Sequence, residues 1–205
     1  MKKKFKLFAS LASLCVAVAL LVFGVYAASQ VTYTLNNTVT YTFENAFVKV
    51  KRVVEKSTAA TAAPVASSAA KDQAFETSDI ADLEFQTYNA NATAWADPTG
   101  TGLTYAEGEA SETVNFDLND AYVYRVTITI TTPATNGVDL TVTIPESTLD
   151  NVYRVTGQNA YATKTTLAKS GTATIVYYVG LEDATQSVGT EQSVGAGVTI
   201  VVDQK

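Results

Sequence analysis

The chain has 205 residues, 47% of them hydrophobic and 17% charged, with 14 Lys+Arg against 20 Asp+Glu, one cysteine and no histidine. Without histidine there is no Ser-His-Asp or Cys-His nucleophilic site and no usual zinc site, and a single cysteine leaves soft-metal chemistry short of ligands. The acidic balance argues against nucleic acid and anionic membrane surfaces as partners; neither a cofactor nor an enzymatic activity is expected.

Residues 1–27 have the three parts of a secretory signal peptide, expected as an N-terminal signal helix. Met1 to Lys6 is a basic start, Leu7 to Phe23 is an uncharged apolar run, and Val25 and Ala27 occupy the −3 and −1 positions for a cut between Ala27 and Ala28. The competing reading is an uncleaved anchor, because the apolar stretch approaches the roughly 20 residues that cross a bilayer. A lipoprotein signal fits less well, since Cys15 lies in mid-run behind Leu14. Cleavage leaves 178 of the 205 residues, enough to bury one core without disulfides. It also removes Lys2, Lys3, Lys4 and Lys6, so that ten basic residues face 20 acidic ones and the charge becomes about −10.

Beyond the signal, apolar residues alternate with threonine. Val31, Tyr33 and Leu35, then Val39, Tyr41 and Phe43, hold odd positions, the period of a half-buried strand. Asn36-Asn37 interrupts the run as a hinge or turn. Val48, Val50 and Val54 predict a second strand, with Lys49 and Lys51 on its other face. Residues 57–72 are rich in Ala, Ser and Thr and predict a flexible surface insertion with at most a helical turn. A strand is predicted around 83–88, and residues 89–112 are loop-like, marked by Asp97-Pro98-Thr99-Gly100. The clearest strand is 121–131, with Tyr122, Tyr124, Val126, Ile128 and Ile130 on one face. Pro133 and Asn136-Gly137 then lead to Val138, Leu140, Val142 and Ile144, and the two strands together predict an antiparallel hairpin. Further strands are predicted at 151–156, at 172–180 with both faces buried, and at 197–203. The expected fold is all-β: a jelly-roll or Greek-key sandwich of two antiparallel sheets over residues 38–205, preceded by a candidate donor strand at 28–37.

Candidate sites are few. Asp117, Asn119 and Asp120 offer the hard oxygens calcium takes, but without the glycine and terminal glutamate of an EF-hand loop. Asp and Asn are also ordinary turn residues, so a polar loop is the preferred reading there and for Glu107, Glu109 and Glu112. Trp95 and Tyr105 could form a sugar platform; folding back onto the core is preferred. The mature N-terminus carries more mechanical content. A freed strand bearing Val31, Tyr33 and Leu35 can pair with its own sheet or add to a neighbour's, where backbone hydrogen bonds supply affinity and alternate side chains fill pockets.

The segment KKKFKLFASLASLCVAVALLVFGVYAAS, followed at once by a Thr/Val-rich strand, resembles the N-termini of the TasA/camelysin group of secreted Gram-positive proteins. The resemblance lies in the Lys-rich start, the A-S-L-A-like apolar run and the Tyr26-Ala27-Ala28 junction, and is specific over residues 2–29. It implies processing by a SipW-type signal peptidase, a jelly-roll sandwich, and subunits that polymerise head to tail into biofilm-matrix fibres, the N-terminal strand of one completing the sheet of the next. The donor residues would then be Val31, Tyr33 and Leu35. The metalloprotease activity ascribed to some members does not carry over, since the chain has no histidine and no H-E-x-x-H. The expectation is therefore a secreted structural subunit whose partners are its own copies and, during export, a signal peptidase, with membrane contact only before cleavage. The alternative is a monomeric cell-surface binding module or adhesin.

Overall fold

A computed structural model describes residues 34–58, 64–87, 102–118, 122–157, 164–182 and 191–205. Strands follow one another along the chain as β1 (Thr34–Glu44), β2 (Lys49–Ser57), β3 (Phe75–Thr77), β4 (Leu83–Thr87), β5 (Thr104–Ala106), β6 (Glu109–Asp117), β7 (Tyr124–Thr131), β8 (Val138–Thr143), β9 (Val152–Thr156), β10 (Thr165–Leu167), β11 (Thr172–Leu181), β12 (Gln192–Ser193) and β13 (Val198–Gln204). They form two sheets packed face to face, so the expected all-β sandwich holds. The sheets are mixed and not purely antiparallel: β1 runs parallel to both β12 and β13, and β4 runs parallel to β5.

The first sheet has the order β10-β8-β13-β1, with β6 on the far side of β1. Since β6 follows β1 from Thr34 to Thr42, β12 and β13 must share the opposite edge, β12 beside Leu35 and Asn36 and β13 beside Val39 to Glu44. The second sheet has the order β5-β4-β2-β7-β11-β9, with β3 extending β4's side of β2. Alternation does the packing. From the first sheet Leu35, Val39, Phe43, Leu140, Ile200 and Val202 point inward, and from the second Val50, Val126, Ile128, Ile130, Ile175 and Val179 meet them. Each such side chain contributes roughly 1.5–3 kcal/mol on leaving water.

Three expectations change. Asn36-Asn37 is not a turn: β1 runs through it to Glu44, and nothing breaks the strand at 37/38. The strands 121–131 and 138–144 are not a hairpin. β7 pairs with β2 and β11 in the second sheet, β8 with β13 and β10 in the first, and residues 132–137 arch between them. The arch is tied to the turn before β11, where Ser170 N–H donates to Pro133 O (2.9 Å) and Thr132 Oγ1 donates to Ala168 O (2.7 Å). Finally, part of the presumed 89–112 loop is strand, as β5 and the first half of β6.

The 57–72 insertion is docked where it is described. A 3₁₀ helix, Ser67–Asp72, lays fully buried Ala70 on the outer face of the second sheet against Val123, Tyr153 and Tyr178. That contact is why β11 is buried on both faces at Tyr177 and Tyr178, as its sequence predicts. Tyr153 Oη is buried in this layer without a hydrogen-bond partner among the described residues, and a Cβ at Gly180 would meet it. An unsatisfied buried hydroxyl costs about 1–3 kcal/mol of desolvation. Tyr153→Phe is therefore expected to stabilise the fold by about 1 kcal/mol and raise the urea midpoint, and Gly180→Ala to lower it, both read by equilibrium denaturation; destabilisation by Tyr153→Phe would contradict this packing.

Candidate functional site

The inward row of β1 reads Leu35, Asn37, Val39, Tyr41, Phe43, and two of these five residues carry polar atoms into the core. Each takes part in a polar column that crosses from one sheet to the other.

The first column stands on Asn37, which is fully buried. Its Oδ1 accepts a hydrogen bond from Arg154 Nη1 of β9 (2.7 Å), and its Nδ2 donates to Tyr177 Oη of β11 (2.9 Å). Arg154 is only 2% exposed. Its Nε donates to Pro145 O (2.7 Å), at the end of β8, and its Nη2 donates to Ala196 O, in the step between β12 and β13. Gly195 and Gly197 shape that step. Gly195 takes φ +87°, and a Cβ on Gly197 would stand 2.8 Å from Thr38 O of β1. Among the described residues every acceptor of the guanidinium is neutral. Burial accordingly pulls the Arg154 pKa down, only partly offset by Tyr177, yet an arginine remains charged at any physiological pH.

The second column stands on Glu112 of β6. Arg52 of β2, 6% exposed, clasps this carboxylate with Nη2 at 2.6 Å from Oε2 and Nε at 3.2 Å from Oε1. Its Nη1 donates to Ala81 O (2.7 Å). Tyr41 Oη donates to the same Oε1 at 2.9 Å, and its ring meets Phe85 edge-on at 5.1 Å. Burial works against the Arg52 charge, but the hydrogen bond and charge of Glu112 outweigh it and hold its pKa above the ordinary arginine value. Glu112 is thus a half-buried strand residue of β6 and not part of a polar loop.

No family model, no curated protein and no solved structure matches this chain. Function has to be read from the geometry.

Of the residues the sequence singles out, Leu35 is buried at the first core position of β1, between β6 and β12. Ala27, Ala28, Val31 and Tyr33 lie outside the described residues, as do the signal helix, Asn119, Asp120 and Trp95. Asp117 closes β6, and its backbone oxygen accepts from Tyr124 Oη (2.8 Å). Among the described residues no group of three or more His, Cys, Asp or Glu is arranged to hold a metal ion. Tyr105 is exposed on β5 and does not fold onto the core. Asn37, Tyr177, Arg154, Arg52 and Glu112 do not stand out as a group in the sequence. The available signal is a polar residue at an inward position of an otherwise apolar row, as Asn37 is between Leu35 and Val39 and Arg52 between Val50 and Val54.

Removing one partner of a buried charge costs about 3–5 kcal/mol, whereas replacing the set with apolar groups is often close to neutral. Asn37→Leu and Arg154→Met should each destabilise by about 3 kcal/mol, while the double variant falls short of their sum by about 1–3 kcal/mol. Urea denaturation of the cycle measures this, and additive losses would refute the coupling.

The tyrosines give a pH signature. Burial raises the hydroxyl pKa of Tyr41, Tyr153 and Tyr177 above the ordinary 10.0, and burial with the Asp117 charge pushes Tyr124 up to about 12. A pKa raised in the folded state stabilises fully below pH 10, and that stabilisation is lost as pH rises through the folded value. The urea midpoint should fall between pH 10 and about 12, with these phenols ionising only as the protein unfolds. Tyrosinate absorbance followed alongside circular dichroism checks it.

Proposed function

We propose that this chain is a secreted structural subunit that assembles into extracellular fibres by passing its N-terminal strand to a neighbour. The observation that carries the reading is the position of β1. It is the first described strand, it is joined to the rest of the described fold only through its C-terminal end, and it lies mid-sheet between β6 and the β12/β13 pair. Withdrawing it opens a slot with backbone hydrogen-bonding groups along both walls and a row of apolar pockets along its floor. Such a slot is filled again by the β1 of another copy, through the same contacts.

The hinge for the exchange is the link 45–48, where Asn45 takes φ +57°, a left-handed conformation that asparagine tolerates better than most residues. A strand handed from each subunit to the next is a head-to-tail contact that does not close on itself, so it builds a filament. The export-type N-terminus and its resemblance to the TasA/camelysin group support the same reading. In it the donor segment carries Val31, Tyr33 and Leu35 and continues through Glu44, and a cut between Ala27 and Ala28 frees it from the membrane.

A second reading, a monomeric surface-binding module, draws on one observation. The outer face of the second sheet has a cleft of about 260 Å³ lined by Lys71, Asp72, Arg125, Thr127, Val176 and Tyr178. Arg125 is already engaged there, 2.6 Å from Glu55 and stacked on Phe75.

Two copies decide between the readings. In a Cys15→Ser background, one copy carries Thr38→Cys and the other Thr113→Cys, an outward-facing pair that lies side by side across β1 and β6, 3.3 Å apart at the hydroxyls. Strand exchange predicts a disulfide between the two copies and filaments by electron microscopy of the exported protein. Monomers alone under every salt and pH tried, with no disulfide between copies, would overturn the proposal.

A further inference from the structure

The fibre reading names the strand that moves but not what makes the slot accept that strand in one alignment. A backbone ladder is indifferent to sequence, and the inward row of β1 is apolar at Leu35, Val39 and Phe43. A slip of one residue is prevented because it would turn that whole row to solvent. A slip of two residues keeps every apolar side chain facing inward, so hydrophobicity alone discriminates poorly against it.

Arg154 and Tyr177 supply the missing discrimination. They belong to β9 and β11 in the opposite sheet, and among the described residues their hydrogen bonds to β1 converge on the side-chain amide of Asn37. Sliding β1 by two residues in either direction would place Leu35 or Val39 against the guanidinium. Arg154 would keep the carbonyls of Pro145 and Ala196 but lose the side-chain acceptor that Asn37 provides. A buried cation short of an acceptor is among the costlier defects a core can contain. A single buried polar side chain that fixes alignment at some expense of stability is well attested in coiled coils, where one asparagine sets register and partner.

We infer that the slot between β6 and β13 selects its occupant by this amide: it accepts a strand carrying asparagine at the second inward position, in the register that seats the asparagine on Arg154 and Tyr177. The inference rests on the exchange reading only for the source of the strand, which there is a second copy of this chain. The register rule applies equally to a strand that stays at home. Tyr41, four residues on, adds a second address through Glu112. Because Glu112 also holds Arg52, loss of Tyr41 leaves that carboxylate paired, whereas loss of Asn37 takes from Arg154 the side-chain acceptor that β1 gives it. Asn37 is therefore the stricter position.

Cysteine pairs report the register directly. In full-length protein with Cys15→Ser, Thr38→Cys is combined in turn with Thr113→Cys, which is opposite it, and with Ser111→Cys or Asn115→Cys, which come opposite it after a slip of two residues. With Asn37 in place, oxidation should close the 38/113 pair at least tenfold more readily than either other pair. Asn37→Asp keeps an acceptor for Arg154 and should retain that selectivity. Asn37→Val should lose it, the 38/111 or 38/115 disulfide rising at least tenfold relative to 38/113. If Asn37→Val does not fold, Asn37→Val with Arg154→Met removes both the amide and the charge that needs it, and the same loss of selectivity is expected. Undiminished 38/113 selectivity in whichever of these two variants folds would overturn the inference. The two proposals fail separately: selective closure within single chains, with no product between chains, would sink strand exchange and leave the register rule standing.

Discussion

The sandwich is organised around a buried charge that no described residue neutralises. Among the described residues Arg154 sits between the sheets without a carboxylate partner, and its hydrogen bonds go to one amide and two backbone carbonyls. Those three acceptors come from separate stretches of chain: β1, the end of β8, and the step between β12 and β13. A guanidinium offers its donors in a fixed planar fork, so it is satisfied only if all three stretches are in place together. The N-terminal strand, the C-terminal strand and the β8–β9 connection are thereby fixed relative to one another at a single point.

The Arg52–Glu112 column works differently. There the cation has a carboxylate held at two oxygens, and the pair compensates itself whether or not Tyr41 is present. It ties β6 directly to β2 of the second sheet, while β1 is the one described strand that β6 pairs with. The two columns thus have separate roles, since one holds β6 against the second sheet and the other seats Asn37 of β1 on Arg154. In the proposed exchange, this division lets β1 be at once a core strand and one that passes between copies. Its departure would take from β6 its described strand partner, leaving it tied to Arg52, and would leave Arg154 short of an acceptor, which is a driving force for refilling the slot and for refilling it in register.

The sequence discloses the parts governed by local periodicity. β7, β8 and β13 announce themselves by alternation of apolar and polar residues, β2 and β11 by their density of Val, Ile and Tyr, and the fold class follows from their number and the scarcity of helical patterns. Pairing is another matter. Pro133 and Asn136-Gly137 look the same whether the chain turns back into a hairpin or arches over to the other sheet; the choice is made by β13 and β2, which offer better partners from far away. β6 is hidden because its inward row contains Glu112 and its outward row is Glu109, Ser111, Thr113 and Asn115, so that only Val114 and Phe116 look like strand. Asn36-Asn37 shows the limit most clearly. Asparagine favours turns when only its neighbours are considered, and here its meaning is set by Tyr177 and Arg154, 140 and 117 residues further along the chain. The inward parity of Asn37 is visible in the sequence; the partners that make it a site are not.

Strand exchange stands or falls on whose β1 sits against Arg154 in the assembled state. A reconstruction of filaments at side-chain resolution by electron cryomicroscopy decides it. Exchange predicts density joining Asn37 of one subunit to Arg154 and Tyr177 of the next, with the link 45–48 extended between them. Filaments whose subunits each keep their own β1, and touch through other surfaces, would contradict it.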